Sequence, residues 1–457
     1  MSENSELAEK TNVYCYVKHY THSHFFDQLF TQALPNHSTT YFTDNLSLFI
    51  FIRYFKKRNV KLIPFIVYAK FSGNTNLSQK TISILRWEST YMKKPFSVVE
   101  NKFLVLKEWF VNRMNNDSIC FCWSGNNTES HAFGQASKEL NNKIRFGEIT
   151  NYPHTVYLDK NGTNYYSGLV NEIHKSIKLN DNTSASWISE LKKLKQSQKH
   201  IPQASLKNKI KLFITLYGIQ QYIFGSGKRF NMMHMLLNKY KPYSSKLKEL
   251  IDNGEFVDIN ELKIPTSKVH HSIKVLVPLQ VNHDTQLHVF SHFKSSFDYI
   301  QYLLSIIDDH TELHIKLHPA ENKEINKLTE YIIDRVNRKY NNVKLIKTFS
   351  FANYDCVATM NSTFGIDALL ADCKVITFGQ SLYSDFDFVL LYKNYTSIRD
   401  ALAQYENHIN PDSFKYFAYT IQSEFYNFNY FGDSISKGIS AELFNSSIRR
   451  LQKELQV

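Results

Sequence analysis

The sequence predicts an α/β protein built from two doubly wound halves with a basic helical insertion. Three observations carry that reading. Short β-branched or apolar runs alternate with helical stretches, which is the rhythm of strand-helix-strand units and a parallel sheet. The alternation occurs twice, before about residue 170 and after about residue 270. With 457 residues, 34 Phe and 28 Tyr, the chain is too long for one ordinary core and rich enough in apolar side chains for two.

The first half opens with a strand over Val13–Val17, followed by Lys18-His-Tyr-Thr-His-Ser-His24 read as a loop. Three closely spaced histidines invite a metal. With no nearby carboxylate or cysteine set, ordinary or substrate-contacting histidines are the stronger reading. Helical or strand-like pieces follow at 46–57, 60–68 and 98–114, then a strand at Ser118–Trp123. Ser124-Gly125 makes the turn into a helix over His131–Leu140, because glycine lets backbone approach a neighbour closely. A short strand at Lys143–Phe146 leads to Glu148, and Asp159-Lys-Asn-Gly162 reads as a turn between two β-like runs. Five cysteines, an odd number without framework spacing, read as buried free thiols of a reducing compartment.

Residues 170–250 read as helical and basic. Between Glu190 and Leu250 thirteen Lys and Arg stand against two acids, so most of the chain's formal charge of +12 lies there. Two readings stay open for this segment: a solvated helix face, or a patch for an anionic partner such as a membrane surface. No recognisable nucleic-acid module accompanies it, so nucleic acid is not expected as a partner. Gly225-Ser-Gly227-Lys228 is half of a phosphate loop without the strand that should precede it.

Past a linker near 252–267, the second half reads as strand 273–279, helix 295–308, strand 313–317, helix 321–340, strands 343–346 and 356–360, helix 363–371 and strand 374–378. Two Rossmann-type halves facing across a cleft give a GT-B-like architecture. The boundary is expected near 265, with an acceptor-side domain over 1–265 and a donor-side domain over 266–457. The polar, acidic N-terminus lacks the features of a signal peptide and the run Leu46–Ile52 is too short to span a bilayer. A cytoplasmic protein, peripheral at the inner membrane, is expected.

Three strand ends in the second half fall on one edge if its sheet is parallel. These are the loop Gln280-Val-Asn-His-Asp284, then Lys316-Leu-His318-Pro319, then Asn361-Ser362-Thr363-Phe-Gly365. Open α/β sheets keep their ligands at that edge. Asp284 has two readings, the cap of the next helix or a group facing a ligand. Ser362-Thr363 open a helix whose N–H groups and dipole attract a phosphate, and His318 can donate to a phosphate or leaving-group oxygen. Asp385-Phe-Asp387 has the form of a metal-binding pair, but a surface or hinge loop is the preferred reading.

The stretches VLVPLQVNHDTQ, KLHP, MNSTFGIDALLADCKVITFGQSLY and CWSG with FGEITNYPHTVYLDKNGTNYYS together resemble the bacterial capsule polysaccharide synthesis family of retaining β-Kdo transferases. The resemblance covers about 118–170 and 270–395. It implies a CMP-Kdo donor, a lipid-linked or glycan acceptor, retention of configuration and no metal or other cofactor. It further implies Asp284 as nucleophile and Glu148 as acid/base for the acceptor. His318 takes a catalytic and donor-contacting role, with Gln280, Lys316, Pro319, Asn361, Ser362, Thr363, Gly365 and Gly379 binding the donor. The Glu148-Ile-Thr run departs from the family's usual pattern at the first acid. A noncatalytic assembly or export scaffold that kept the fold is the alternative.

Overall fold

The computed structural model describes residues 10–34, 36–64, 76–92, 94–150, 152, 154–169, 241–262, 273–282, 284–393, 395–408 and 411–456. The chain forms two compact α/β units. Nearly all of the basic insertion lies outside the described residues, including Gly225–Lys228 and the stretches 186–198 and 206–224, which the sequence reads as amphipathic helices.

In the first unit the strands are β1 (Thr11–Tyr16), β2 (His37–Thr43), β3 (Asn59–Leu62), β4 (Ile119–Trp123), β5 (Lys143–Ile149) and β6 (Thr155–Asp159). Their order is β6-β5-β4-β1-β2-β3, parallel from β5 to β3, with β6 antiparallel to β5. Helices α1 (Tyr20–Ala33), α3 (Gln79–Met92), α4 (Phe96–Val111) and α5 (Thr128–Glu139) cover the sheet, with the short α2 (Leu46–Ile50) between β2 and β3. Side chains alternate across a strand, so both faces of β1 and β4 must be apolar. Val13, Cys15, Ile119 and Phe121 enter one core with α1. Tyr14, Tyr16, Cys120 and Cys122 enter another with α4 and α5. All five cysteines are free and buried.

The second unit holds β7 (Ile273–Pro278), β8 (Thr311–Lys316), β9 (Val343–Ile346), β10 (Cys356–Thr359), β11 (Lys374–Thr377) and β12 (Leu390–Leu391), all parallel in the order β12-β11-β10-β7-β8-β9. The chain runs outward from β7 to β9 and then crosses back to β10. The strand order therefore reverses between β7 and β10, the point where such sheets bind ligands. The α/β class with two Rossmann-type sheets is the one read from the sequence.

The expected boundary near 265 is corrected at both ends. Residues Gln422–Val457 belong with the first unit. There the stripe Phe444, Ile448, Leu451 and Leu455 of helix Ala441–Leu455 closes the core over α1, and the short β13 (Tyr426–Asn427) extends the sheet beside β6. The helix Tyr243–Asp252 belongs with the second unit: Leu247 is in its core and Lys246 pairs with Glu324 at 3.1 Å.

Two local readings also change. The expected His loop is the start of α1, with His19 at the N-cap and His22 and His24 inside the helix. After Asp159 the chain forms a 3-10 turn (Asn164–Tyr166), not a second strand. The Asp159 carboxylate accepts from the N–H groups of Asn161, Gly162 and Gly168 and from Ser167 Oγ, which folds the segment back on itself. Among the described residues, no helix is long and apolar enough to cross a membrane.

The buried His131 on α5 yields a stability prediction. Its ring bonds Thr81 Oγ1 at 2.9 Å and stacks on Phe103. Burial, reinforced by Lys80 and Lys138, holds its pKa down at about 3. An unfolded histidine titrates near 6.5, so between those values the unfolded chain binds the extra proton. Stability should therefore fall as the pH drops below about 6.5, by roughly 1.4 kcal/mol per pH unit for this group. Urea unfolding from pH 7 to 4.5 should show that slope, reduced by about one proton's worth in His131→Gln.

Candidate functional site

The carboxyl ends of β10, β7 and β8, adjacent in the sheet, deliver the three predicted loops to one edge of the second unit. What joins them is a set of buried amide and carboxylate contacts. Gln280, 5% exposed, donates from Nε2 to Asn361 Oδ1 (2.9 Å), and its Oε1 accepts the Asn361 N–H (3.2 Å). The two-point pair stitches the exit of β7 to that of β10. Asn361 Nδ2 then donates to the Gln286 carbonyl at 2.7 Å. Buried polar groups cost free energy unless paired, so such a closed set specifies one loop arrangement.

The β7 and β8 loops are joined by Glu321, to which the sequence reading assigned no role in the site. One oxygen of this buried carboxylate accepts the Asn282 N–H and the other the Asn322 N–H, both at 2.7 Å. Asn282 in turn accepts from the Ser296 N–H (2.6 Å) and, at its carbonyl, from the His288 ring (2.7 Å). An acid three residues after the histidine, at a helix entrance, looks in sequence like an ordinary N-terminal carboxylate. Only the tertiary contact reveals its bridging position.

Asp284 caps the helix Thr285–Phe290, its Oδ1 accepting the Gln286 N–H at 2.9 Å. The capping reading is thus realised, and it does not exhaust the carboxylate: Asp284 and Glu321 both pull on the His318 imidazole, favouring its charged form. Burial and the Lys316 ammonium win over that pull and lower the His318 pKa. Its Nδ1 accepts the Ala320 N–H at 3.1 Å. In the neutral ring this leaves the proton on Nε2, which can donate to a ligand oxygen.

Lys316 closes β8. Its Nζ lies 5.8 and 5.9 Å from the ring centroids of Phe349 and Phe364, and burial lowers its pKa. A partly desolvated cation over aromatic rings attracts an anion more strongly than one in water. Pro319 is exposed at the turn that follows.

The Asn361-Ser362-Thr363 turn departs from the expected open helix end. Ser362 Oγ accepts the Phe364 N–H (3.2 Å), and the carbonyls of Ser362 and Thr363 accept from Gly365 and Ile366 (both 3.0 Å). These N–H groups are already engaged. What the turn offers a ligand is its hydroxyls and the positive end of the short helix Phe364–Leu370.

Gly365 and Gly379 have packing reasons to be glycine. At Gly365 a Cβ would collide with the hydroxyl of the buried Tyr383, which donates to the Ser362 carbonyl. At Gly379 it would meet the carbonyl oxygen of Phe290 at 2.8 Å and Ser291 Cβ at 2.9 Å. Gly365→Ala should cost about 1–3 kcal/mol, read from urea midpoints, because Tyr383 has no room to retreat. Asp385 and Asp387 accept from the hydroxyls of Ser384 (3.3 Å) and Ser413 (3.0 Å).

The first unit has its own polar strand ends. Glu148 lies within β5, opposite Tyr157 in register, and its Oε1 accepts the Ile149 N–H at 3.2 Å. Its charge reaches Tyr157 and Tyr430. Beside it in the same unit, Trp123 stacks between His22 (5.3 Å) and Tyr430 (4.2 Å). Helices α3, α4 and α5, with Lys18 just past β1, carry a buried ionic cluster that the sequence reading did not single out. Lys102 Nζ bridges Glu88 (2.8 Å) and Glu129 (2.6 Å), and Lys18 stands 3.7 Å from Glu129. Against the burial that would raise it, Lys102 and Lys18 hold the Glu129 carboxyl far below its ordinary range.

Comparison with known proteins adds the following. A family model described as "Capsule polysaccharide biosynthesis protein" matches residues 93–388. A search of curated proteins found no match. Among solved structures, the chain is similar to the Thermosulfurimonas dismutans KpsC β-Kdo 2,7 transferase at 13% identity, over 86% of this chain and 89% of that one, with a TM-score of 0.33. The β-Kdo 2,4 transferase of the same KpsC matches at 16% identity over 65% and 78%, TM-score 0.31. Anabaena Alr3699/HepE in complex with UDP-glucose matches at 10% identity over 97% and 100%, TM-score 0.26. The family match spans more than half of the chain and contains Glu148 and all three strand-end loops, so the chain belongs to the capsule polysaccharide biosynthesis family.

Proposed function

We propose that the protein is a glycosyltransferase that moves Kdo from CMP-Kdo to a lipid-linked or glycan acceptor with retention of configuration. The observation that carries this reading is the convergence of Asp284, His318 and Lys316 with the Ser362-Thr363 turn at a strand-order reversal, fixed by the Gln280–Asn361 pair. Family membership supports a role in capsule polysaccharide synthesis, and the motif resemblance suggests Kdo as the sugar and CMP as the nucleotide.

In the proposed reaction the ionised Asp284 attacks the anomeric carbon of Kdo. The bond to the CMP phosphate breaks, CMP leaves with the electron pair, and a glycosyl ester forms on Asp284. The departing phosphate is a weak base and needs charge stabilisation more than a proton. Lys316 supplies positive charge, His318 Nε2–H and the Ser362-Thr363 hydroxyls supply hydrogen bonds, and no metal is invoked. The acceptor hydroxyl then attacks the same carbon, loses its proton to a base, and frees the carboxylate. Two inversions give net retention. The base role is assigned to Glu148.

The test is intact-mass measurement after mixing with CMP-Kdo. A mass increase of one Kdo residue, absent in Asp284→Ala and discharged by acceptor, is expected. No adduct together with no turnover on any lipid or glycan acceptor would defeat the proposal.

A further inference from the structure

The segment joining β2 to β3 carries a surface that the transfer chemistry does not use. Helix α2 is capped by Asn45, whose side chain accepts the Leu48 N–H at 3.1 Å, and it runs on as a π turn over Phe51–Phe55. Leu48 and Ile52 are fully buried and anchor the segment to the core. Its outer face then presents Tyr54 and Phe55, each 68% exposed. Among the described residues, the other exposed large apolar side chains lie at 37–52% and are scattered. Phe55 stacks on Phe51 at 6.1 Å, and Phe51 sits edge-on to Tyr20 at 5.1 Å, so the Phe55 ring continues a column that begins in the core.

Basic residues flank these rings along the chain. Arg53, Lys56, Lys57 and Arg58 fall within six residues that contain no acid. Asp27 takes Lys56 (3.3 Å) and Arg58 (3.0 Å), which leaves a strong positive excess. Of the four basic residues, Arg53 and Lys57 are exposed next to the two rings in the chain. Adjacent protruding aromatics flanked by cations are costly to leave in water and mark a contact surface. A tyrosine beside a phenylalanine, with Arg and Lys flanking the pair, matches the interfacial layer of an anionic bilayer. There the rings sit at headgroup depth and the cations meet lipid phosphates.

We infer that Tyr54, Phe55 and the neighbouring Arg53 and Lys57 form a docking surface for an anionic phospholipid bilayer. Each cation near such a surface strengthens binding roughly fivefold, and salt screens the effect. This stretch is distinct in sequence from the basic segment at 190–250, and the inference does not depend on the proposed transfer reaction.

The buried state of all five cysteines permits a local probe. Full-length Phe55→Cys carrying an environment-sensitive fluorophore should brighten and shift to the blue on vesicles with roughly 30% phosphatidylglycerol in phosphatidylcholine. It should stay unchanged on phosphatidylcholine alone, and about 0.5 M salt should reverse the response. The same label at Leu443→Cys, an exposed control site, should remain silent. In co-sedimentation, Tyr54→Ser with Phe55→Ser should weaken partitioning tenfold or more while the folded circular dichroism spectrum is kept. A silent label at position 55, wild-type partitioning by the double variant, or the same response to a single-stranded oligonucleotide would overturn the assignment. No sugar nucleotide enters the assay, so its failure is distinct from failure of the transfer reading.

Discussion

Replacing Asp284 by Asn is expected to abolish Kdo transfer, by at least about a thousandfold in kcat/KM, while leaving the fold as stable as the parent. Asn and Asp are equally good helix N-caps, and Asn can still accept the Gln286 N–H that Asp284 accepts at 2.9 Å. An amide cannot form the glycosyl ester, so only the chemistry is removed. Asp284→Ala should lose transfer too and in addition about 1 kcal/mol of stability, because the cap goes with the carboxylate. The pair of variants separates the two jobs of this side chain. If Asp284→Asn transfers like the parent, or supports capsule production unchanged in a cell, the carboxylate serves only as a cap and the noncatalytic scaffold becomes the better reading.

The largest effect on stability is expected at Lys102. Its ammonium lies between Glu88 and Glu129, whose side chains are only 7% and 11% exposed. Lys102→Met fits the stem but leaves two buried carboxylates facing each other. Removing one partner of a buried charge pair costs about 3–5 kcal/mol, and the 28% exposure of Lys102 places this case near the lower end. The pH dependence gives a second reading. The Glu129 pKa is depressed in the fold, so its contribution is complete above the ordinary carboxylate range and is lost as the pH falls through and below it. In Lys102→Met that acid-side loss should shrink, since the carboxylates take up protons more readily once the ammonium is gone. Urea midpoints of parent and variant between pH 7 and 2.5 measure both effects.

The parallel sheets were legible because their strands are buried on both faces and read as continuous apolar runs. Val275–Val277 and Cys356–Ala358 are wholly buried. The three strand-end loops were legible for a related reason: a polar loop after a greasy strand stands out by contrast. What was not legible follows from long-range packing. The start of helix α1 was read as a loop because it opens with His19-Tyr-Thr-His22, without a capping side chain. The burial of His22 against Trp123 has no local trace. Likewise the return of residues 422–457 to the first unit depends on an apolar stripe meeting α1 more than 400 positions away, where Gln452 donates to the Ala33 carbonyl. Within the site, the sequence singled out Gln280 and Asn361 as polar groups but not that they bond to each other. Glu321 was not singled out at all, because a carboxylate at a helix entrance needs no tertiary partner to make sense.

The claim on which this account rests is that the β10, β7 and β8 strand ends form one pocket for a cytidylyl group. Calorimetric titration of CMP into the full-length protein, and into Lys316→Ala and His318→Ala, tests it most directly. Saturable one-to-one binding is expected, weakened about tenfold or more by each substitution, since each removes a charged or hydrogen-bonding contact to the phosphate. CMP that fails to bind the parent, or that binds both variants as tightly as the parent, would contradict it.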